Sequence, residues 1–152
     1  MNKKILITKA DAADAKTVFA IFTNSRASMT YLPVVHTQEE SKEFFTSLVV
    51  KGKIMLIKEG DVIAGFMQIE DGWLHHMYID PNFQDKGFGK LLLDKAKEMS
   101  PMGIQLMVFE DNKGAIQFYE REGFILVEKR NQEQTTNEEN LPDRRYKWKI
   151  KS

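Results

Sequence analysis

The chain has 152 residues, 42% hydrophobic and 29% charged, which fits one domain able to bury roughly two-thirds of the surface its unfolded chain exposes. Lys plus Arg and Asp plus Glu number 22 each, so no net charge draws the chain to nucleic acid or to an anionic membrane, and a bound anion must be held by local geometry. The absence of cysteine excludes disulfides, thiolate catalysis and Cys-based zinc sites.

The chain start lacks the long apolar run of a signal peptide, because Thr8, Lys9 and Asp11 interrupt it. No stretch reaches the roughly 18 apolar residues of a membrane span, so the chain reads as cytoplasmic. Ile5 to Thr8 is a short apolar strand. Asp11 can cap a helix in which Ala15, Val18, Phe19 and Phe22 recur on one buried face. Thr37 with Glu40 is a capping box opening a second helix, with Phe44, Phe45, Leu48 and Val49 inward. A meander follows: Lys53 to Glu59, a turn at Gly60-Asp61, Val62 to Ile69, a turn at Asp71-Gly72, and Trp73 to Ile79, ended by Pro81.

The pattern then switches to alternation of helix and strand. Gly87 to Met99 is helical, with Leu92, Leu93, Ala96 and Met99 on one face. Ile104 to Phe109 is nearly all apolar, as expected of a strand buried on both faces. Asn112 to Glu122 is a helix stopped by Gly123, Phe124 to Lys129 a strand, Asn131 to Asp143 a polar loop, and Arg145 to Ile150 a last strand. This order predicts an α/β domain: a mixed, mostly antiparallel sheet of about seven strands with helices on both faces.

The segment Gln84-Asp85-Lys86-Gly87-Phe88-Gly89 lies between a strand and a helix. Glycines let the backbone approach a ligand, and the first amides of a helix lack internal partners, so the segment suits a diphosphate. Gly-x-Gly alone equally fits a tight turn. A nicotinamide fold would need a third glycine, and a P-loop would need Gly-Lys-Ser/Thr; Lys90-Leu91-Leu92 supplies neither. Asp85 opposes anion binding, and Lys86 and Lys90 offset it.

Ile79-Asp80-Pro81 followed by Gln84 to Gly89 resembles the acetyl-CoA signature of the GNAT N-acetyltransferases: a strand ending in V/I-x-P, then Q/R-x-x-G-x-G/A. Asn112, Ala115, Phe118-Tyr119, Glu122 and Gly123-Phe124 resemble that family's second conserved block. The resemblance covers nearly the whole chain, 1–152, as a single domain. It implies a strand that splays from its neighbour to leave a V-shaped cleft, with pantetheine along Met77, Tyr78 and Ile79. It implies that backbone amides of Asp85 to Lys90 cradle the pyrophosphate, with Gln84 opening the loop and Asn112 bonding the pantetheine arm. Tyr119 then sits near the thioester sulfur as general acid. The co-substrate is acetyl-CoA, without a metal.

Aminolysis of a thioester needs a neutral amine, donors for the oxyanion and a proton for the leaving thiolate. A backbone N–H of Met77 or Tyr78 could serve the oxyanion, and Tyr119 the sulfur, although Tyr119 would also fit as a core aromatic of an amphipathic helix. Where many family members carry a Glu, two positions before His75, this chain has Trp73. His75, which by alternation shares a face with Trp73, Met77 and Ile79, is a candidate base; a water chain or Glu138 is an alternative. The acceptor walls are expected in Arg26 to Thr37, with Tyr31 and His36, and in Asn137 to Tyr146, with Glu138; Trp73 on the strand is expected to line the same acceptor site. The function expected is acetyl transfer to a primary amine of a small molecule in a ternary complex. The alternatives are a non-catalytic acyl-CoA sensor and a protein N-terminal or lysine acetyltransferase. A homodimer is compatible with the resemblance.

Overall fold

The computed structural model describes residues 3–149. Its elements, in chain order, are β1 (Ile5–Lys9), α1 (Ala15–Ala27), α2 (Gln38–Val50), β2 (Met55–Glu59), β3 (Val62–Glu70), β4 (Trp73–Ile79), α3 (Phe88–Met99), β5 (Ile104–Phe109), α4 (Lys113–Arg121), β6 (Ile125–Arg130) and β7 (Asp143–Trp148). The strands form one sheet in the order β1-β2-β3-β4-β5-β7-β6, antiparallel except for β4 beside β5. Of the expected last strand, Ile150 lies outside the described residues.

Helices cover both faces, because strand alternation gives each face its own apolar set. On one face, Phe88, Leu92, Leu93 and Ala96 of α3 and Ile116 and Tyr119 of α4 pack on Ile57, Leu74 and Leu106. On the other, Val18 and Ile21 of α1 and Phe45, Leu48 and Val49 of α2 pack on Leu56 and Phe66. The Thr37–Glu40 capping box forms as expected, each side chain bonding the other residue's amide.

Several expectations need correction. Asp11 caps a short 3-10 turn that runs into α1, and does not cap α1 itself. In α1 the buried positions are Ala15, Val18, Ile21 and Ser25, while Phe19 and Phe22 are half-buried. Phe44 and Met99 lie at the margins of their helical faces and are 49% and 46% exposed. The expected Lys53–Glu59 strand begins only at Met55, because Lys53 still donates its amide to Leu48 at the end of α2. Strand β5 alternates between buried and more exposed residues, with Met107 on the open side, because Ile104, Leu106 and Val108 join the cluster under α3 and α4 while no β5 residue joins the cluster under α1 and α2. Asp143 belongs to β7 and is buried, not part of a solvated loop.

Candidate functional site

Strands β4 and β5 touch only at their starts. Trp73 pairs with Gln105, and the Gln105 amide donates to Gly72 O at 2.8 Å. Beyond that point the facing edges of β4 and β5 carry no pairing, so a V opens toward Ile79 and Phe109. A gap between parallel strands leaves backbone groups able to bond a ligand that lies along them. The opposite edge of β4 stays locked to β3 through Gln68–His76, Met67–Met77, Phe66–Tyr78 and Gly65–Ile79.

Two local irregularities shape this end. The β3–β4 register shifts between Gln68 and Ile69, leaving His75 as the extra residue of β4. Leu74 therefore joins the same apolar cluster as Met77 and Ile79, and simple alternation from Trp73 through His75 fails. The second is Gly65. A Cβ there would lie 2.6 Å from Ile79 Cδ1 and 2.7 Å from Tyr78 O, so only glycine lets β3 hold the end of β4 this closely. Sequence reading passed over Gly65, although a glycine inside an apolar strand marks a close backbone approach.

The loop after β4 is built from local bonds. Asp80 accepts the Asn82 amide at 2.9 Å, and a 3-10 turn over Pro81–Phe83 follows. Asp85 and Gly87 then take left-handed φ angles of 63° and 84°. Leu91 is the first residue of α3 to donate backward, to Gly87 O at 3.2 Å. Among the described residues, no amide from Gln84 to Lys90 donates to a backbone or side-chain acceptor. Such a row beside a helix N-terminus suits a diphosphate by hydrogen bonding and by dipole. Gly87 needs its glycine for φ, and a Cβ there would meet no atom within 4 Å; at Gly89 a Cβ would make ordinary contact with the Phe118 ring at 3.5 Å.

Side chains in this loop differ from the simple picture. Phe88 is a core residue, so only its amide can face a ligand. Gln84 Nε2 donates to Ile79 O at 3.4 Å. Lys86 lies over the Phe83 ring at 5.5 Å. Lys90 is held by Glu122 at 3.2 Å and Asp94 at 3.3 Å, so its charge does not simply offset Asp85. Asn112 Oδ1 caps α4 by accepting the Ala115 amide at 3.3 Å; its Nδ2 has no partner among the described residues.

Three phenols converge where the V is open. Tyr119 is 9% exposed, against Phe118 and Phe124. Its hydroxyl is pushed up, first by burial and then by the nearby Tyr78 phenol. Tyr78 is raised by burial and partly relieved by Arg26. Tyr31, between α1 and α2, packs edge-on to Phe109 at 6.2 Å, and its hydroxyl is buried without a partner. Burial raises Tyr31, with Asp111 and Tyr78 adding to the effect.

The two expected acceptor walls meet. His36 Nε2 lies 2.7 Å from Glu138 Oε2, and Arg26 Nη2 lies 3.6 Å from Glu139 Oε2. The second wall is rigid for a sequence reason. Asp143 accepts two Arg130 bonds at 2.8 and 2.6 Å and further bonds from Thr135 and Asn137, while Asn137 clasps Leu141 from both sides. His75 is exposed and His76 is half-buried, packed among Phe44, Phe45 and Tyr78. Burial, then His75, lowers His76 to about 4, so it is neutral near pH 7. Trp73, expected at the acceptor site, lies instead at the closed end of the V, next to the β3–β4 turn, six residue steps or roughly 20 Å from Ile79.

Residues 50–126 match the sequence model of the acetyltransferase (GNAT) domain, half of the chain and the half that contains the splay, the amide row and α4. The chain belongs to the GNAT acetyltransferase family. An uncharacterized N-acetyltransferase of Methanocaldococcus jannaschii is 40% identical over 66 residues, covering 41% of this chain and 29% of that protein. Peptidyl-lysine N-acetyltransferase YjaB of Salmonella typhimurium is 32% identical over 71 residues, 47% of this chain and 48% of its own. The chain thus spans about half the length, or less, of these curated GNAT relatives. Among solved structures, apo YjaB from Escherichia coli superposes with a TM-score of 0.77 at 22% identity, covering 95% of this chain and 97% of that one. The yncA protein of Salmonella typhimurium, solved with its cofactor acetyl-CoA, superposes with a TM-score of 0.71 at 17% identity, covering 98% and 95%. At such identities these likenesses establish the GNAT fold alone.

Proposed function

We propose that this GNAT domain, spanning 1–152, transfers the acetyl group of acetyl-CoA to a primary amine of a small molecule by direct attack in a ternary complex. The observation that carries the proposal is the amide row Gln84–Lys90 at the mouth of the β4–β5 gap. With a diphosphate on the row, the β4 edge at Met77 to Ile79 and Asn112 Nδ2 would hold the arm that follows it. Acetyl-CoA supplies an activated acetyl group at the end of that arm.

The chain's own residues then do three things. The row and α3 fix the anion. A free N–H on the cleft edge of β4, from Met77, stabilises negative charge on the acyl oxygen; the Tyr78 amide, the other candidate, faces β3. Tyr119 Oη hands a proton to the departing sulfur; its burial keeps the phenol protonated over the working pH range. No carboxylate stands on β4, so the amine loses its proton to water, to exposed His75, or to a carboxylate of the second wall. The acceptor enters between that wall and the α1–α2 segment. A cytoplasmic enzyme without nucleic-acid or membrane partners is part of the same proposal; the chain's zero net charge offers neither of them a long-range attraction. A homodimer is part of the same proposal.

The test is Tyr119→Phe, with acetyl-CoA binding and turnover measured separately. Turnover is expected to fall by about a hundredfold with acetyl-CoA affinity within about twofold. Unchanged turnover removes Tyr119 as the acid. A second reading, lysine acetylation of proteins, is favoured by the 32% identity to YjaB. The Arg26–Glu139 and His36–Glu138 contacts narrow the acceptor opening and favour a small amine. Lysine peptides assayed beside a panel of small amines separate the two.

A further inference from the structure

We propose that Arg26 and Glu139 form the acceptor-recognition pair of this site, and that the acceptor is zwitterionic: a small molecule of amino-acid type carrying a carboxylate next to its amine. The inference rests on the acetyl-transfer reading and specifies its acceptor. Arg26, in the last turn of α1, and Glu139, on the braced β6–β7 loop, face each other across the mouth of the cleft with side chains 27% and 12% exposed. At 3.6 Å they attract each other, yet they are too far apart for a good hydrogen bond. The Arg26 guanidinium reaches the Tyr78 hydroxyl on one side and rests on the Phe22 ring at 5.6 Å. A guanidinium carries five donors in a fork that matches a carboxylate, and one phenol such as Tyr78 leaves donors over for one.

Glu139 offers the complementary charge, with spare lone pairs. Two opposed charges side by side match the reversed charges of an amino acid. A simple amine would satisfy only Glu139 and leave the guanidinium loosely held. The third component is Tyr31, whose buried hydroxyl has no partner. Tyr31 and Tyr78 both lie in the field of Arg26, and Tyr78 also in that of Glu139, so all four groups share one locality. An unpaired buried hydroxyl costs stability unless something bonds it, and a polar acceptor would. Ser25, one residue before Arg26, donates to Ile79 O at 3.4 Å and ties this helix end to the cleft edge of β4.

The experiment is steady-state acetyl transfer at saturating acetyl-CoA to a free amino acid, its carboxamide, its decarboxylated amine and a lysine peptide. Acetyl-CoA binding is measured in parallel by thermal shift. The free amino acid is expected to exceed the carboxamide and the decarboxylated amine at least tenfold in kcat/KM, the scale of a charge-assisted hydrogen bond. Arg26→Gln is expected to erase that preference by raising KM for the amino acid about tenfold while the carboxamide stays within about twofold. A purely structural loss would lower all acceptors together and overturns the inference. Equal rates on acid and carboxamide, or a preference for the lysine peptide, also overturn it. If acetyl-CoA binds and no amino acid is acetylated, this inference falls while the cofactor reading stands; if acetyl-CoA does not bind, both fall.

Discussion

His76 and His36 show how position sets the sign of a residue's pH response. His76 is packed among aromatic rings, and burial lowers its pKa from 6.5 to about 4. Between those values the unfolded chain takes up a proton that the folded chain refuses. Stability is therefore lost as pH falls through that window, by up to about 3 kcal/mol at full protonation of the unfolded side chain. His36 is exposed, and Glu138 raises it. Its contribution has the opposite sign: it is present below the ordinary histidine range and is lost as pH rises through the raised value. Urea titrations at pH 7, 5.5 and 4.5 check the first effect. His76→Phe is expected to flatten the acid limb; an unchanged slope would show that the packed ring does not carry it.

At the scale of the element, the end of β4 is set by its neighbours. Gly65 gives it close contact with β3, the bulge at His75 re-aims its side chains, and β5 leaves it free on the other edge. Gly65→Ala puts a methyl against the backbone carbonyl of Tyr78, which cannot rotate away as a side chain can. Overpacking of this kind costs about 1–3 kcal/mol. Because the displaced residues border the cleft, acetyl-CoA affinity is expected to drop along with stability. Chemical denaturation and a direct binding titration on the variant test both; full stability would mean that β4 yields without strain.

At the scale of the molecule, a ligand that binds only the folded chain stabilises it by mass action. Acetyl-CoA at about 100 times its Kd adds about 2.7 kcal/mol. For a chain of this size that corresponds to a rise in Tm of roughly 5–11 °C. Acetyl-pantetheine, which lacks the pyrophosphate, is expected to give a much smaller shift, because the amide row Gln84–Lys90 then has nothing to hold. Equal shifts from both compounds at equal concentration would remove the row as the anion site.

Most of the secondary structure was legible in the sequence because it rests on local physics. The Thr37–Glu40 box and the turns at Gly60-Asp61 and Asp71-Gly72 are written within a few neighbouring positions. The loop from Gln84 to Gly89 was legible for the same reason: a left-handed Gly87 and a helix start need only adjacent residues. The acceptor side was not. Arg26 and Glu139 are more than a hundred positions apart, and neither stands out along the chain. The His75 bulge reverses the faces of β4 through pairing with β3, which no count along one strand reveals. Thus the sequence by itself determined the order of elements and the anion loop, whose interactions are short-range. Only the tertiary structure decided how β4 splays, which phenols meet and which charges face across the cleft, because those contacts join segments that only the folded chain brings together.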